Sequence, residues 1–555
     1  MKKHLPTILV VLAVIVILIG LCLPSITLVK SRSNSTRQRN EEQQRQMELL
    51  HLKMEYLHDR DLGRGAGTEP LGGLQQPEEP TTSERYADIH DNPFVRVNEA
   101  GGDASTFAID VDTASYSNIR RIIQGQQRLP PAAAVRIEEM LNYFPYPYAA
   151  PTAQAKHPFA FATAVAPCPW QAQHLLVRVA LKGKVLDRTT RPPLNLVYLV
   201  DTSGSMNGED RIGLVKYALD LLVDQLDARD SLSIVTYAGN VGTALPPTPG
   251  DQHARIRAAI AGLGTGGSTN GEGGIRAAYA AAIAGHHDGA QSRVILCTDG
   301  DFNVGISDPS ELRKLIEQQR ASGVFLSGYG FGRGNLQDQT METLTNHGNG
   351  VYGYIDGQKE ARKIMVDEAL GATVIIAKDV KIQVFFNPTE VAGWRLIGYE
   401  NRLLRREDFN NDRIDAGDIG AGHTVTALYE IVPAGIDVPA AAASDPNPFT
   451  SDYAHEELNI GQGTLLQLRL RYKQPDADVS TLQEVPVPST TSAMDEDFRF
   501  ASSVALTGML LRKSPYVGTG TWAQAASLAG GALGSDAQGL RAEFVGLIGT
   551  AKGLK

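Results

Sequence analysis

Five oxygen-bearing side chains stand in three separate stretches of the sequence. The stretch "DTSGS" supplies Asp201, Ser203 and Ser205 directly after the apolar run "LNLVYLV". Thr269 lies in the glycine-rich stretch "GGSTNGEGG", and Asp299 lies in "CTDGD" after the apolar run "SRVILCT". Alternate residues of an extended chain point the same way, so the first stretch brings one carboxylate and two hydroxyls to one point. The chemistry that these residue types favour is the binding of a hard cation.

The elements that must position these side chains are apolar strands that alternate with helical patterns from Leu194 to about Leu370. The strand candidates are "LNLVYLV", "SLSIVTYA", "SRVILCT", "VFLSGYG" and "VYGYID". Helices are predicted between them at residues 211–226, 252–262, 271–284, 308–321, 336–346 and 358–370. Such alternation predicts an α/β unit with a doubly wound, mostly parallel sheet. Ligands of such sheets bind beyond the carboxyl ends of the strands, where all three stretches lie.

The donor set predicts which cation and which partner the site would take. All five side chains offer hard oxygens, without imidazole or thiolate, which favours Mg²⁺, Mn²⁺ or Ca²⁺ over zinc or copper. Hydroxyls are weak neutral ligands, and two carboxylates only neutralise a divalent ion. We therefore expect the metal to accept an external carboxylate, supplied by an acidic side chain of a protein partner. The alternative is that these residues serve only as helix caps and turn residues.

In this order within an α/β unit, the three stretches resemble the metal-ion-dependent adhesion site (MIDAS) of von Willebrand factor type A (vWA) domains, which are Rossmann-like. The resemblance implies metal ligation, direct or through water, by Asp201, Ser203, Ser205, Thr269 and Asp299. Other stretches resemble a bacterial, membrane-associated family in which a vWA domain has its own N- and C-terminal flanking regions. These stretches are "FAIDVDTASYSNIRR", "RIEEMLNYFPY", "TDGDFNVGI", "IGYENRLL", "FNNDRIDAGDIGAGH" and "RAEFVGL". This second resemblance implies architecture more than activity.

Composition and pattern divide the chain into six parts. They are a transmembrane anchor (1–30), a disordered polar tether (31–92), an N-terminal family-specific region of helices and strands (93–190), the vWA domain (191–370), a β-rich domain (371–490) and a C-terminal helical region (491–555). Strands with period-two alternation flank the vWA domain on both sides. We expect the strands of 155–190 to pair with those of 379–472, giving one β-sandwich into which the vWA domain is inserted.

The N-terminal run Leu5 to Val29 is uncharged and long enough for a helix that crosses a bilayer. A cleaved signal peptide is the alternative, although no clean Ala-x-Ala site follows the run. Positive residues flank the run on both sides, so the charge rule leaves the orientation open. Because a lone N-terminal apolar segment commonly serves as an export signal, we expect an extracytoplasmic, periplasmic body.

Charge and cysteine content exclude other classes of protein. The formal net charge of −10 and the lack of a Lys/Arg-rich block in the folded part indicate no nucleic-acid partner. Three cysteines are too few for a disulfide framework, so they are interpreted as structural thiols. The stretch "DVDTA", Asp110 to Ala114, lacks the final threonine of a phosphatase D-x-D-x-T loop, and a helix-capping role is favoured. The stretch 408–418 has oxygen spacing like an EF-hand, but Arg413 stands at the glycine position, which favours a polar loop.

The expected function is non-enzymatic binding of a protein partner, as an adhesion or envelope assembly scaffold. Near the five oxygen donors, the sequence offers only Glu272 and Asp301 as candidate general bases. Two alternatives remain open. One is a hydrolase in which the metal activates water, and the other is a structural assembly factor whose metal only rigidifies loops.

Overall fold

The computed structural model describes residues 84–300, 309–320, 322–334, 336–368, 371, 373–414, 416–440 and 460–554. The predicted transmembrane anchor and residues 31–83 of the predicted tether lie outside these ranges. Among the described helices, none reaches the length and hydrophobicity that a bilayer crossing requires.

The strands are β1 (Val95–Arg96), β2 (Ala104–Ala108), β3 (Phe159–Pro167), β4 (Leu175–Gly183), β5 (Leu194–Asp201), β6 (Ser231–Tyr237), β7 (Val241–Pro249), β8 (Gln291–Thr298), β9 (Phe325–Gly330), β10 (Tyr352–Tyr354), β11 (Ile375–Phe386), β12 (Val391–Ile397), β13 (Gly417–Gly420), β14 (Thr424–Pro433), β15 (Thr464–Lys473) and β16 (Thr481–Pro488). The α-helices are α1 (Ala114–Gln126), α2 (Ile137–Asn142), α3 (Leu214–Val223), α4 (His253–Ala261), α5 (Gly271–Ala284), α6 (Pro309–Arg320), α7 (Asp338–His347), α8 (Gln358–Arg362), α9 (Glu496–Arg512), α10 (Trp522–Gly530) and α11 (Leu540–Gly553).

The α/β unit is built on a six-stranded sheet of order β10-β9-β8-β5-β6-β7. Adjacent strands of this sheet run parallel to each other, except that β7 is antiparallel to β6. Every residue of β5 is buried, because helices cover both faces of a parallel sheet. The five predicted strands are confirmed. The edge strand β7 was not predicted, because its residues are mostly exposed and include three prolines.

The two flanks of the α/β unit meet in one sheet, as the sequence predicts. The five-stranded sheet has the order β1-β12-β14-β4-β3. Strand β4, before the unit, pairs with β14, after it, from Leu175↔Ile431 to Thr424↔Lys182. The other flanking sheet has the order β13-β11-β15-β16, and β2 also pairs with β11. Phe386 of β11 and Trp394 of β12 stack with ring centroids 4.7 Å apart, so the two sheets face each other across an apolar core.

The other face of the five-stranded sheet is covered by helices. The three predicted C-terminal helices are present as α9, α10 and α11, and they share an apolar core with α1 and α2. Phe144, after α2, contacts the rings of Phe500 on α9 and Phe544 on α11, with centroids 4.8 and 5.3 Å apart. The N-terminal region and the C-terminal helices therefore form one layer.

Residues 84–92, the last part of the predicted tether, contact the folded body. The buried carboxylate of Glu84 forms an ion pair of 2.9 Å with Arg121 on α1. The backbone N–H of Arg85 donates to the carbonyl of Leu336 at 3.1 Å, just before α7. The Asn92 side chain donates to the carbonyls of Leu396 and Gly398. The folded body thus begins earlier than the expected boundary at residue 93.

Candidate metal centre

Asp201 is the last residue of the central strand β5, and it is fully buried. One carboxylate oxygen, Oδ1, accepts the backbone N–H of Ser203 at 2.9 Å. The other oxygen, Oδ2, accepts the hydroxyls of Thr298 at 3.0 Å and Tyr237 at 3.3 Å. The carboxylate is therefore held by the turn that follows its own strand and by both neighbouring strands.

Ser203 and Ser205 lie together in the turn after β5. Their Oγ atoms are 2.9 Å apart, and Ser203 is 2% exposed. Gly204 and the next two residues form a single 3₁₀ turn, which leads into the helical segment that contains α3. The two hydroxyls of "DTSGS" thus lie together as expected, but Ser205 reaches Ser203 through a 3₁₀ turn rather than through the alternation of an extended chain.

The loop that contains Thr269 packs directly against this turn. The N–H of Gly266 donates to the carbonyl of Thr202 at 2.8 Å, and the N–H of Gly204 donates to the carbonyl of Gly267 at 3.1 Å. Thr269 is buried, and Asn270 caps α5 by accepting the N–H of Gly273 at 3.1 Å. The second stretch is therefore fastened to the first by two backbone hydrogen bonds.

Asp299 directly follows β8, which pairs in parallel with β5. It is 2% exposed, and the N–H of Gly300 donates to the hydroxyl of Thr298 at 3.0 Å. That same hydroxyl donates to Asp201, so the turn that contains Asp299 is fixed to the carboxylate of the first stretch. All three sequence stretches meet at the carboxyl edge of the sheet, as predicted.

The electrostatics of this edge suit a cation. Burial raises the pKa of Asp201 to about 6, and the nearby carboxylate of Asp299 adds to the increase, against the hydrogen bonds that lower it. Burial, followed by the charge of Asp201, also raises the pKa of Tyr237. A divalent ion held at this edge would stabilise the charged form of both buried carboxylates.

The separation of the serine hydroxyls also fits a metal. Two adjacent ligands of an octahedral Mg²⁺, each about 2.1 Å from the ion, lie about 3 Å apart. The Oγ atoms of Ser203 and Ser205 are 2.9 Å apart. This separation is that of a hydrogen bond between the two hydroxyls, and it is also compatible with neighbouring positions around a small hard cation.

One of the two candidate general bases near the site, Glu272, forms an ion pair on its own helix. Glu272, in the first turn of α5, forms an ion pair of 3.0 Å with Arg276 one helical turn later. Asp301 lies outside the described residues. Neither residue can thus be assigned a catalytic role from its contacts.

A buried ion network that the sequence does not predict joins the N-terminal region to α7. Arg136 is 1% exposed, contacts Glu139 and forms an ion pair of 2.5 Å with Asp338, the first residue of α7. Local patterns of charged residues do not reveal this network, because Arg136 and Asp338 are 202 positions apart in the sequence. It fixes one helix of the α/β unit to the flanking region.

The predicted helix-capping role of "DVDTA" is wrong. The N-cap of α1 is Thr113, whose side chain makes no capping hydrogen bond. Asp110 and Asp112 instead form ion pairs of 3.1 and 2.8 Å with Arg402 of the β-rich region. Asp112 also accepts the N–H of Tyr352 on β10 at 2.6 Å. These aspartates therefore connect the N-terminal region, the α/β unit and the β-rich region.

The acidic stretch 408–418 uses its side chains within a polar loop. Asp408 accepts the N–H of Arg405, and Asp412 accepts the N–H of Ser480, both at 3.3 Å. Asp418 accepts the N–H of Asp379 at 3.0 Å. Asp408 and Asp412, which belong to the EF-hand-like spacing, thus accept backbone N–H groups from two different segments.

Comparison with known proteins supports this architecture. A model described as "von Willebrand factor type A domain" matches residues 196–301, and one described as "von Willebrand factor" matches residues 80–178. A third, "Uncharacterized protein YfbK, C-terminal", matches residues 371–554. The Escherichia coli protein named "Uncharacterized protein YfbK" is 43% identical over 479 residues, which cover 85% of this chain and 81% of that protein. The chain belongs to the YfbK family.

Other relatives share smaller parts of this YfbK-family chain. Protein sll0103 of Synechocystis is 30% identical over 186 residues, 33% of this chain and 43% of that protein. Human inter-alpha-trypsin inhibitor heavy chain H4 is 28% identical over 153 residues, 26% of this chain and 16% of that protein. Among solved structures, a von Willebrand factor type A protein from Catenulispora acidiphila covers 70% of this chain and 90% of its own, with 16% identity and a TM-score of 0.40.

Proposed function

We propose that this chain binds a protein partner through a divalent metal at the MIDAS-type site, as an adhesion or envelope assembly scaffold. Mg²⁺ is the expected ion, with Mn²⁺ and Ca²⁺ as alternatives of the same hard chemistry. The observation that carries the proposal is the meeting of three loops around Asp201. Its carboxylate is fixed by Ser203 and Thr298, and the loop of Thr269 is bonded to the same turn.

The residues that would hold the metal are Asp201, Ser203, Ser205, Thr269 and Asp299. The two carboxylates would neutralise a divalent ion, and the hydroxyls would complete its shell without adding charge. When bound, the ion supplies a Lewis-acidic position for an external carboxylate. Backbone and hydroxyl hydrogen bonds hold the Asp201 carboxylate in place, so little reorganisation is needed when a partner's acidic side chain arrives.

A binding role is favoured over hydrolysis by the contacts around the site. Glu272 is paired with Arg276, so its carboxylate is oriented along α5. The same pairing of Glu272 with Arg276 would also be expected in an assembly factor whose metal only rigidifies loops. The two binding roles differ in whether the partner contacts the metal, which mutation of a ligand tests.

We also propose that residues 1–30 anchor the chain in a membrane as a single-pass helix and that the body is periplasmic. The support is the uncharged run from Leu5 to Val29. Fractionation of the full chain and of a variant that lacks residues 1–30 checks the anchor. Recovery of both forms in the soluble fraction would reject it.

The test of the partner proposal is affinity capture from envelope membranes with the tagged full chain, in Mg²⁺ and in chelator. The Asp201→Ala variant removes one carboxylate ligand, and Asp251→Ala, an exposed aspartate before α4, is the matched control. A partner that is recovered in Mg²⁺ by the wild type and the control, but not by Asp201→Ala or in chelator, supports the proposal. A partner list that is unchanged by Asp201→Ala would favour the assembly factor, and turnover of phosphoester or peptide libraries that Asp299→Ala abolishes would favour a hydrolase.

A further inference from the structure

Strand β3 forms one edge of the five-stranded sheet. It pairs with β4 over its whole length, from Phe159↔Gly183 to Pro167↔Leu175, without a register shift. In the part of the chain that the structure describes, no strand pairs with its other side. The outward-pointing backbone groups of β3 are therefore not paired with another strand of the described chain.

The hydrogen-bond pattern shows whether the backbone N–H and C=O of each residue of β3 point towards β4 or outward. The N–H of Lys184 donates to the carbonyl of Pro158 at 2.8 Å, so Pro158 bonds towards the β4 side. Directions alternate along an antiparallel strand, which makes even-numbered residues of β3 bond to β4 and odd-numbered residues point outward. The N–H of Ser492 donates to the carbonyl of Val165 from the outer side at 2.9 Å, which agrees with this assignment.

The accessible part of the edge is a window of five residues. Residues 160–164 are all partly exposed, whereas Phe159 and Val165, which flank them, are each 3% exposed. Phe161 and Thr163 are the outward-pointing residues within this window. Among the described residues, no hydrogen bond reaches their backbone groups from the outer side. The window is centred on Ala162.

This edge lacks the features that usually prevent strands from pairing between molecules. Residues 159–166, "FAFATAVA", contain no charge and no proline, the nearest prolines are Pro158 and Pro167 at the two ends, and the pairing with β4 has no bulge. Other sheet edges are blunted by prolines in β7 and β16, or by the short lengths of β1, β10 and β13, which have two to four residues. The five-residue strand β2 is buried, and the N–H of Leu404 donates to the carbonyl of Thr106 at 2.9 Å. Natural proteins usually protect an exposed edge by one of these means.

We propose that a second copy of this chain docks on the β3 edge by antiparallel strand pairing, with the two-fold axis at Ala162. In this register Phe161 of each copy faces Thr163 of the other, and the outward groups of these residues form four backbone hydrogen bonds between the copies. The occupant is a second copy because the window is self-complementary. It carries no charge that would be placed opposite itself, and a small side chain lies at the axis.

Cysteine cross-linking in the full chain tests the register. Ala162 is a non-hydrogen-bonded position in this pairing, where facing Cα atoms lie about 4.5 Å apart, within disulfide range. Oxidation of Ala162→Cys with copper phenanthroline is expected to give a covalent dimer. Ala160→Cys and Ala164→Cys are matched controls, because position 160 faces position 164 of the other copy. Each control alone is expected to stay monomeric, and an equimolar mixture of the two is expected to cross-link.

The native thiols give the background level of cross-linking in the wild type, and Cys168 and Cys297 are both buried. Equal cross-linking of all three single variants would indicate random collision and overturn the proposal, as would the absence of a cross-link in Ala162→Cys. Cross-linking of Ala162→Cys to another polypeptide instead of a second copy would also overturn it.

A proline substitution tests the hydrogen bonds themselves. Thr163→Pro removes an outward N–H that β4 does not use, which an edge strand tolerates. It is expected to abolish the Ala162→Cys cross-link and to shift the mass measured by light scattering towards the monomer, whereas Thr163→Val retains both. If circular dichroism shows that Thr163→Pro disrupts the fold, the mixed Ala160→Cys and Ala164→Cys experiment decides alone. A cross-link that persists in a folded Thr163→Pro variant would reject the pairing.

Discussion

The hydroxyl of Thr298 donates a 3.0 Å hydrogen bond to Oδ2 of Asp201, across the parallel pair of β5 and β8. The same hydroxyl accepts the N–H of Gly300 at 3.0 Å. One buried side chain thus links the carboxylate of the first sequence stretch to the turn that contains Asp299. Thr298 is accordingly a positioning residue for the proposed metal site rather than a ligand.

Thr298→Val is expected to weaken Mg²⁺ binding about tenfold to a hundredfold, because a hydrogen bond to a charged group is worth about 1.5–3 kcal/mol. Calorimetric titration of the full chain measures the affinity. Thr248→Val is the matched control, since this buried threonine on β7 donates to the carbonyl of Pro246 at 2.7 Å, away from the site. Equal affinities of Thr298→Val and the wild type would show that the positioning role is wrong.

Arg136→Met is expected to destabilise the protein by about 3–5 kcal/mol, because it leaves the buried carboxylates of Asp338 and Glu139 without their cation. Denaturant unfolding measures the loss. Arg257→Gln is the control: its guanidinium is 39% exposed and pairs with two exposed aspartates, so a change of at most about 1 kcal/mol is expected. Similar losses for the two variants would contradict the role of the buried network.

Glu138→Gln is expected to stabilise the protein increasingly as the pH rises from 4.5 to 7. Burial, followed by the charge of Glu400, raises the pKa of Glu138 from 4.5 to about 7. In this window the unfolded chain releases the proton while the folded chain keeps it, so the wild type loses stability as the pH rises. Glutamine can still accept the N–H of Tyr399, which Glu138 accepts at 2.9 Å. The expected gain is on the order of 3 kcal/mol above pH 7.

Thermal unfolding of Glu138→Gln and the wild type at pH 4.5 and pH 8 checks this prediction. At pH 4.5 the folded carboxyl keeps its proton and the unfolded carboxyl is only half ionised, so the two proteins should differ least there. A difference that is constant across the range, or larger at pH 4.5, would show that Glu138 does not retain its proton in the folded protein.

Gly350→Ala is expected to destabilise the protein by at least about 1–3 kcal/mol through overpacking. A Cβ at position 350 would lie 1.7 Å from the carbonyl oxygen of Leu326, so the backbone between β9 and β10 would have to move. Gly264→Ala is the control, because a Cβ there meets nothing within 4 Å. Denaturant unfolding compares the two variants, and a neutral Gly350→Ala would reject this close approach.

Much of the α/β unit could be predicted because its physical signals are local. Buried parallel strands give continuous apolar runs such as β5, and helix α5 was predicted at 271–284 and is observed at Gly271–Ala284. Strands β7 and β16 were missed since prolines and exposed residues interrupt their alternation. The pairing of the two flanks followed from period-two patterns on both sides of the unit.

The candidate ligands could be predicted, but the residues that hold them could not. Asp201, Ser203 and Ser205 are recognisable by their spacing after an apolar strand. The contacts of Thr298 and Tyr237 with Asp201 depend on the register of neighbouring strands, which single-sequence patterns do not specify. The same holds for Arg136 and Asp338, whose pairing depends on how the flanking region packs against α7.

Calorimetric titration of the full chain with Mg²⁺ and Mn²⁺ tests the central claim most directly, with one variant for each loop: Asp201→Ala, Thr269→Ala and Asp299→Ala. The account predicts one ion per chain for the wild type, loss of binding in Asp201→Ala, and weaker binding in the other two variants. No binding by the wild type, or equal binding by the wild type and Asp201→Ala, would contradict it.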